Sequence, residues 1–224
     1  MVFPSFFGSS KKSPPTEKRT VLSDVTWQKF EALLAELGAE RQTRLTYYRG
    51  KLELMTPIAA HERCNKLLES LIFVIAEELH SSVTNLNSVL LKAPQLGCAI
   101  EPDACYYLQA EQMQGRAELI LPHDPLPDLL IEVALTKSNL DKLQLYTALQ
   151  IPEVWRYITT ADEDILKGKL LIYTLQGDRY TEANFSSVFP FLSANRVQQF
   201  LQESDSINLA AAIRLLRSWV KENT

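Results

Sequence analysis

The sequence predicts an α/β or α+β domain with one central sheet and helices around it. Three observations lead there. From Ala59 to His80, the residues Cys64, Leu67, Leu68, Leu71, Ile72, Ile75 and Leu79 recur at helical spacing, which marks a long amphipathic helix. Runs at about 87–92, 99–108, 128–135, 153–159 and 169–176 are short, apolar and rich in residues that favour strands. Strand and helix patterns interleave with no internal repeat, as expected for a mixed sheet with flanking helices.

Length and composition are consistent with this. The chain has 224 residues, enough for one large core with appendages, and 46% of them are hydrophobic. Its 27 acids against 23 bases give a formal charge of −4. That excludes a general basic coat for nucleic acid but leaves room for a local basic groove. Cys64, Cys98 and Cys105 show no CxxC spacing and read as buried free thiols in a reducing cytosol. No apolar run reaches the ~18 residues of a membrane span. In the opening "MVFPSFFGSSKKSPP" the bases follow the apolar residues, which is not the order of a signal peptide. A cytoplasmic protein without membrane contact is expected.

The elements follow in order. Residues 1–20 hold Ser, Pro and Lys in excess and read as a loose tail. Ser23 and Asp24 are N-cap candidates for a helix through "WQKFEALLAELG", ended by Gly38. "RLTYYRGKLELMTP" reads as a hairpin turning at Arg49-Gly50 and stopped by Pro57. The long helix comes next, then strands to 135, a helix at 139–150, and strands at 153–159 and 169–176. Phe200, Leu201 and the run from Ile207 to Val220 make C-terminal helices. The organisation is thus a tail at 1–20, a domain at 21–204 and a C-terminal helix at 205–224.

Two stretches carry acids where a strand should be apolar. In "EPDACYY", Glu101 and Asp103 are two apart, so on a strand they share a face. In "PDLLIEVA", Leu129, Ile131 and Val133 share one face, and Glu132 points the other way beside the small Ala134. Nucleases often carry Pro-Asp, then Glu-X-Lys, on adjacent strands. Here Pro102-Asp103 and Glu132-Val133 are present, but Ala134 takes the lysine's place. The following helix offers a substitute. Lys142, Leu145, Tyr146 and Leu149 fall on one helix face, so Lys142 could reach across Ala134 toward the carboxylates. Lys137, on the preceding loop, is the alternative, and Leu140 and Leu143 mark a competing apolar face. Two acids held close would raise the pKa of at least one of them unless Lys142 compensates.

The stretches "YYRGKLELMTPIAAHE", "EPDACYY" and "PDLLIEVALTKSNLDKLQLYTALQIPEVWRY" resemble the Uma2 family (domain of unknown function 820), cyanobacterial members of the PD-(D/E)XK superfamily. The resemblance spans about residues 22–200. It implies a restriction-endonuclease-like core and a metal-dependent endonuclease acting on nucleic acid, expected to be DNA. It also implies Asp103 and Glu132 as ligands of Mg2+ or Mn2+, and a lysine moved from strand to helix, which matches Lys142. The carbonyl of Val133 is a plausible third ligand. Glu53 and His61 lie in the family's N-terminal segment and complete the candidate catalytic set. Thr159 departs from the Asp common after the Trp-x-x strand. Cleaving both strands of a duplex would favour a homodimer.

Plainer readings stand beside these. Two strand acids also fit a solvated sheet face, Lys142 a lysine whose stem covers apolar surface, and His61 a helix-start residue. Trp155 and Tyr157 fit the core, and Lys11, Lys12, Lys18 and Arg19 a solvated tail, of a kind that can also grip DNA. The rival function is a nuclease fold without turnover, serving as a nucleic-acid-binding, regulatory or structural oligomeric module.

Overall fold

The computed structural model describes residues 16–38, 40–108, 113–160 and 164–224. Its strands are β1 (Lys18–Leu22), β2 (Arg44–Tyr48), β3 (Lys51–Thr56), β4 (Val83–Asn85), β5 (Leu90–Ala93), β6 (Cys98–Ile100), β7 (Ala104–Leu108), β8 (Glu118–Ile120), β9 (Leu129–Ala134), β10 (Glu153–Ile158), β11 (Lys169–Gln176) and β12 (Arg179–Ala183). The helices are α1 (Trp27–Leu37), α2 (Ala59–Glu78), α3 (Lys142–Ala148), α4 (Ala194–Ser206) and α5 (Leu209–Asn223). The mixed α+β class is as the sequence predicts, but the strands divide between two mixed sheets. One has the order β1-β3-β2-β6-β5-β8 and the other β12-β11-β10-β9-β7-β4.

Pro102 marks where the chain leaves one sheet for the other. Glu101 still donates its N–H to Leu45 of the first sheet, at 2.9 Å. Asp103 donates to Ile131 of the second, also at 2.9 Å. Proline has no N–H to donate, so it costs no ladder bond at the step between two ladders. The single strand expected over 99–108 is therefore broken. Glu101 and Asp103 do not form a pair on one strand face.

Layers follow from which side chains are buried together. On one face of the second sheet, Leu68, Leu71 and Ile72 of α2 pack with Ile131, Trp155, Phe200 and Leu216. On its other face, Leu130 and Val154 meet Leu145 and Tyr146 of α3 and Leu91 and Ile100 of the first sheet. The far face of the first sheet is closed by α1, where Phe30 stacks on Tyr47 with ring centroids 4.9 Å apart. Local signals account for several boundaries. The β2–β3 turn has positive φ at both Arg49 and Gly50, as a tight two-residue hairpin requires. Thr26, rather than Ser23 or Asp24, caps α1 by accepting from the N–H of Lys29. Gly38 ends α1 as expected, and Asp141 caps α3. Residues 1–15 of the expected tail lie outside the described residues. Lys18–Leu22 are strand and pair with β3 in register Arg19↔Met55 and Val21↔Glu53. None of the described helices is long and apolar enough to cross a membrane. All three cysteines are free and buried.

One acid serves packing alone. Glu153 is fully buried and accepts from the indole N–H of Trp155 at 2.6 Å and from Ser186 and Ser187, tying the 184–193 loop to β10. Glu153→Ala strands these donors without acceptors. It should cost about 2–4 kcal/mol of stability, read as a lower urea midpoint with unchanged slope.

Candidate functional site

Asp103 follows the crossing and lies one step beyond the last β7–β9 register pair, Ala104 with Ile131. That step brings it opposite Glu132. Asp103 is buried, and its Oδ2 accepts the N–H of Val133 at 2.6 Å. Its Oδ1 takes two cations, Arg44 of β2 and His61 of α2, the latter at 2.8 Å. Burial alone would raise the Asp103 pKa. The charge of His61, then those of Arg44 and Lys142, hold it well below the ordinary carboxylate range. The repulsion expected between two acids is thus overridden by cations, and not by the lysine alone.

His61 is fully buried at the first turn of α2. Its Nδ1 faces Glu17 and its Nε2 faces Asp103. Burial would lower the imidazole pKa, but the charge of Asp103 and the hydrogen bonds to Asp103 and Glu17 raise it to about 9. As an imidazolium it donates from both nitrogens. Arg44 Nη1, 2.7 Å from Nε2, then has no acceptor on the ring and donates to Asp103 instead. Glu17 also accepts from Arg19 at 3.0 Å and from the Thr136 hydroxyl. Burial acts to raise its pKa, and the bonds from His61 and Thr136 bring it below the usual value.

Glu132 uses its other face of the sheet as the parity required. Lys142, the first residue of α3, donates to Oε2 at 2.7 Å, and the Tyr146 hydroxyl donates to Oε1. Burial, and then the charge of Glu132, push the Tyr146 phenol well above its usual value. The lysine-bearing face of α3 is therefore the one turned to the sheet, while Lys137 is exposed. A small cavity of about 20 Å³ beside Glu132 is bordered by Arg19, Lys142, Tyr146 and Arg156. It has room for a single water.

Glu53 is buried but contacts neither Asp103 nor Glu132 through a hydrogen bond. It accepts from Arg19 and the Ser138 hydroxyl, both at 2.8 Å, and from the N–H of Asn139 at 2.8 Å. Its effect is to hold the loop that leads into α3. Glu101 lies apart, on Arg41 and on the N–H of Leu45 at 2.6 Å. Burial raises its pKa against the lowering effect of Arg41.

Sequence reasoning missed Arg44, Glu17, Arg19 and Thr136. Arg44 opens β2 and could have been suspected as the base that a buried Asp103 demands. Tyr146 was placed on the right helix face but read as apolar. Nothing in the local pattern around Glu17 and Arg19 distinguishes them from a solvated segment.

The donor chemistry of Asp103 and Glu132 suits a hard divalent cation, since both offer only carboxylate oxygens. Among the described residues, no three His, Cys, Asp or Glu side chains gather into a metal-holding cluster. Mg2+ does not need one, because it binds through one or two carboxylates and completes its shell with waters and substrate phosphate.

Comparisons with known proteins bear on the same residues. A family model, Uma2, described as "Putative restriction endonuclease", matches residues 27–212. Glu17 and Arg19 precede that match. A crystal structure of "a putative nuclease belonging to DUF820" from Anabaena variabilis shares the fold, with a TM-score of 0.51 and 14% identity. The likeness covers 79% of this chain and 99% of that one. No curated protein matches.

The His61 network carries a pH signature in the metal-free protein. A raised folded-state pKa contributes stability that is complete below the unfolded value of about 6.5 and is lost as pH rises through about 9. Urea midpoints should fall across that window in the wild type. In His61→Asn this part of the pH dependence should be absent.

Proposed function

This chain belongs to the Uma2 family, and from that membership and the acids at the β7–β9 end we propose that it is a divalent-metal-dependent nuclease, with DNA as its substrate. The single observation that carries the reading is Lys142 on Glu132, reaching the strand acid from a helix across the small Ala134. Asp103 and Glu132 would hold Mg2+ or Mn2+, which when bound would polarise the phosphate and lower the pKa of a water.

The chain's own groups supply the rest. Lys142 keeps a compact positive charge next to Glu132, able to orient a water or to hold a non-bridging phosphate oxygen. Tyr146 fixes the Glu132 carboxylate so that its free lone pairs keep one direction. The cavity beside them, bordered by Lys142 and Arg156, has room for one water. His61 and Arg44 hold Asp103 ionised in a buried place where a carboxylate would otherwise take up a proton. Glu53, by binding the 138–139 backbone and hydroxyl, fixes the start of α3 and with it the position of Lys142.

One observation favours a second reading, a nuclease fold that binds nucleic acid without cleaving it. Both oxygens of Asp103 are already taken by protein donors, so a cation must compete with Arg44 and His61 for Oδ1.

Cleavage of plasmid and oligonucleotide DNA with Mg2+ or Mn2+ decides between them. Under the first reading the wild type cuts, and Lys142→Ala lowers the rate by at least about 100-fold while calorimetric metal affinity changes little. Lys142→Arg should not restore it, because a planar guanidinium does not reproduce an ammonium. DNA binding with no cleavage under any divalent metal would establish the second reading. Asp103→Asn should abolish metal binding in the calorimeter, and unchanged binding would remove Asp103 from the ligand set.

A further inference from the structure

Arg19 has been given no part in the chemistry, yet its guanidinium touches both halves of the site. It sits on β1, an edge strand that pairs with β3 alone. Its side chain is only 9% exposed. Each of its three nitrogens has a different protein acceptor: Nε donates to the Thr136 hydroxyl at 2.8 Å, Nη1 to Glu53 at 2.8 Å and Nη2 to Glu17 at 3.0 Å. One side leads to Asp103. Glu17 faces Nδ1 of His61, and Nε2 of His61 faces Asp103 at 2.8 Å. The other side leads to Lys142. Thr136, with Ser138 and Asn139 bound by Glu53, belongs to the segment between β9 and α3, and Lys142 is the first residue of α3. A paired charge this deeply placed returns little net stability, and β1 has its own backbone pairing with β3 over Lys18–Leu22 to hold it.

We propose that Arg19 is a positioning residue that sets Asp103 and Lys142 relative to each other. The inference rests on the nuclease reading and adds β1 to its machinery. Arg19 donates to Thr136, Glu53 and Glu17 and acts on Asp103 and Lys142 only through them. A guanidinium is planar and rigid, so acceptors bound to its separate nitrogens are fixed relative to one another. The line Glu17–His61–Asp103 and the 136–139 segment therefore keep one spacing. An ammonium carries all its hydrogens on one nitrogen and cannot span acceptors that three nitrogens reach. Because Arg19 acts through other side chains, its loss falls on kcat and leaves KM for the nucleic acid unchanged.

Two backbone amides report the two halves in the metal-free protein. Val133 donates to Asp103 at 2.6 Å, and Asn139 donates to Glu53 at 2.8 Å. Their proton shifts are read by NMR in the full chain for the wild type, Arg19→Gln, Arg19→Lys and Thr20→Gly. Thr20 is the exposed neighbour on β1, and glycine there loosens the strand without touching these bonds. Arg19→Lys keeps the charge and serves if Arg19→Gln does not fold. The expected result is that both amides shift in both Arg19 variants and in neither case shift in Thr20→Gly. With plasmid DNA and Mg2+, both Arg19 variants should lower kcat about tenfold at unchanged KM, and Thr20→Gly should keep the wild-type rate. Shifts at Asn139 alone would overturn the proposal, by confining Arg19 to one loop. The same pattern in Thr20→Gly would overturn it in favour of strand docking, and full recovery in Arg19→Lys in favour of charge alone. A wild type that cuts, with kcat intact in both Arg19 variants, would overturn it and leave the nuclease reading in place. Both amides shifting in a protein that cuts nothing with any divalent metal would keep the coupling and remove the nuclease reading.

Discussion

A carboxylate buried where two sheets meet sets the terms for everything around it. Asp103 sits just past Pro102 and is buried, and an uncompensated buried charge costs several kcal/mol. Compensation comes from three separate elements: Arg44 from β2 in the first sheet, His61 from α2, and the N–H of Val133 from β9. Each is distant in sequence from Asp103. The crossing, the hairpin and the start of the long helix must therefore be in place together before this residue can be ionised and dry. A local change in any of them acts on the carboxylate.

The charges around it form a chain in which each acid meets a base. Glu17 faces His61, His61 faces Asp103, Asp103 faces Arg44, and Arg44 faces Glu62. Arg19 links Glu17 to Glu53, and Lys142 pairs with Glu132. Such a buried network returns little net stability after desolvation, so stability rests on the apolar layers instead. What the network provides is geometry: it holds side chains from β1, β2, β3, α2 and α3 at one corner. The strand β1 contributes Glu17 just before its first residue and Arg19 within it, although both precede the part of the chain matched by the family model.

Much of the secondary structure could be read directly because it depends on local periodicity. The stripe Cys64–Leu68–Leu71–Ile75 specifies α2, and the alternation in "LLIEVA" specifies which way Glu132 points, since helix and strand periods are properties of the backbone. Arg49-Gly50 specified its hairpin through the positive φ that such turns demand. The short strands β4 and β8, of three residues each, were missed because so few residues carry no measurable period. Reading 99–108 as one strand failed for another reason. Alternation continues across Pro102 while the hydrogen-bonding partner changes, and partners are not written into a strand's own sequence.

The site divides along the same line. By itself, the sequence determined that Glu132 leaves the most apolar face, that Ala134 opens space beside it, and that Lys142 and Tyr146 share a helix face, because each statement needs only spacing within one element. Tertiary structure alone decided that α3 turns that face toward β9, with Leu143 beside it at the cavity next to Glu132. It also decided that Glu53 supports a loop rather than facing the acid pair, and that Glu17 and Arg19 enter the site. Those outcomes depend on the packing of β1 onto β3 and of α3 onto the sheet. Packing is settled by burial and charge compensation summed over distant segments, and a single segment's pattern does not contain it.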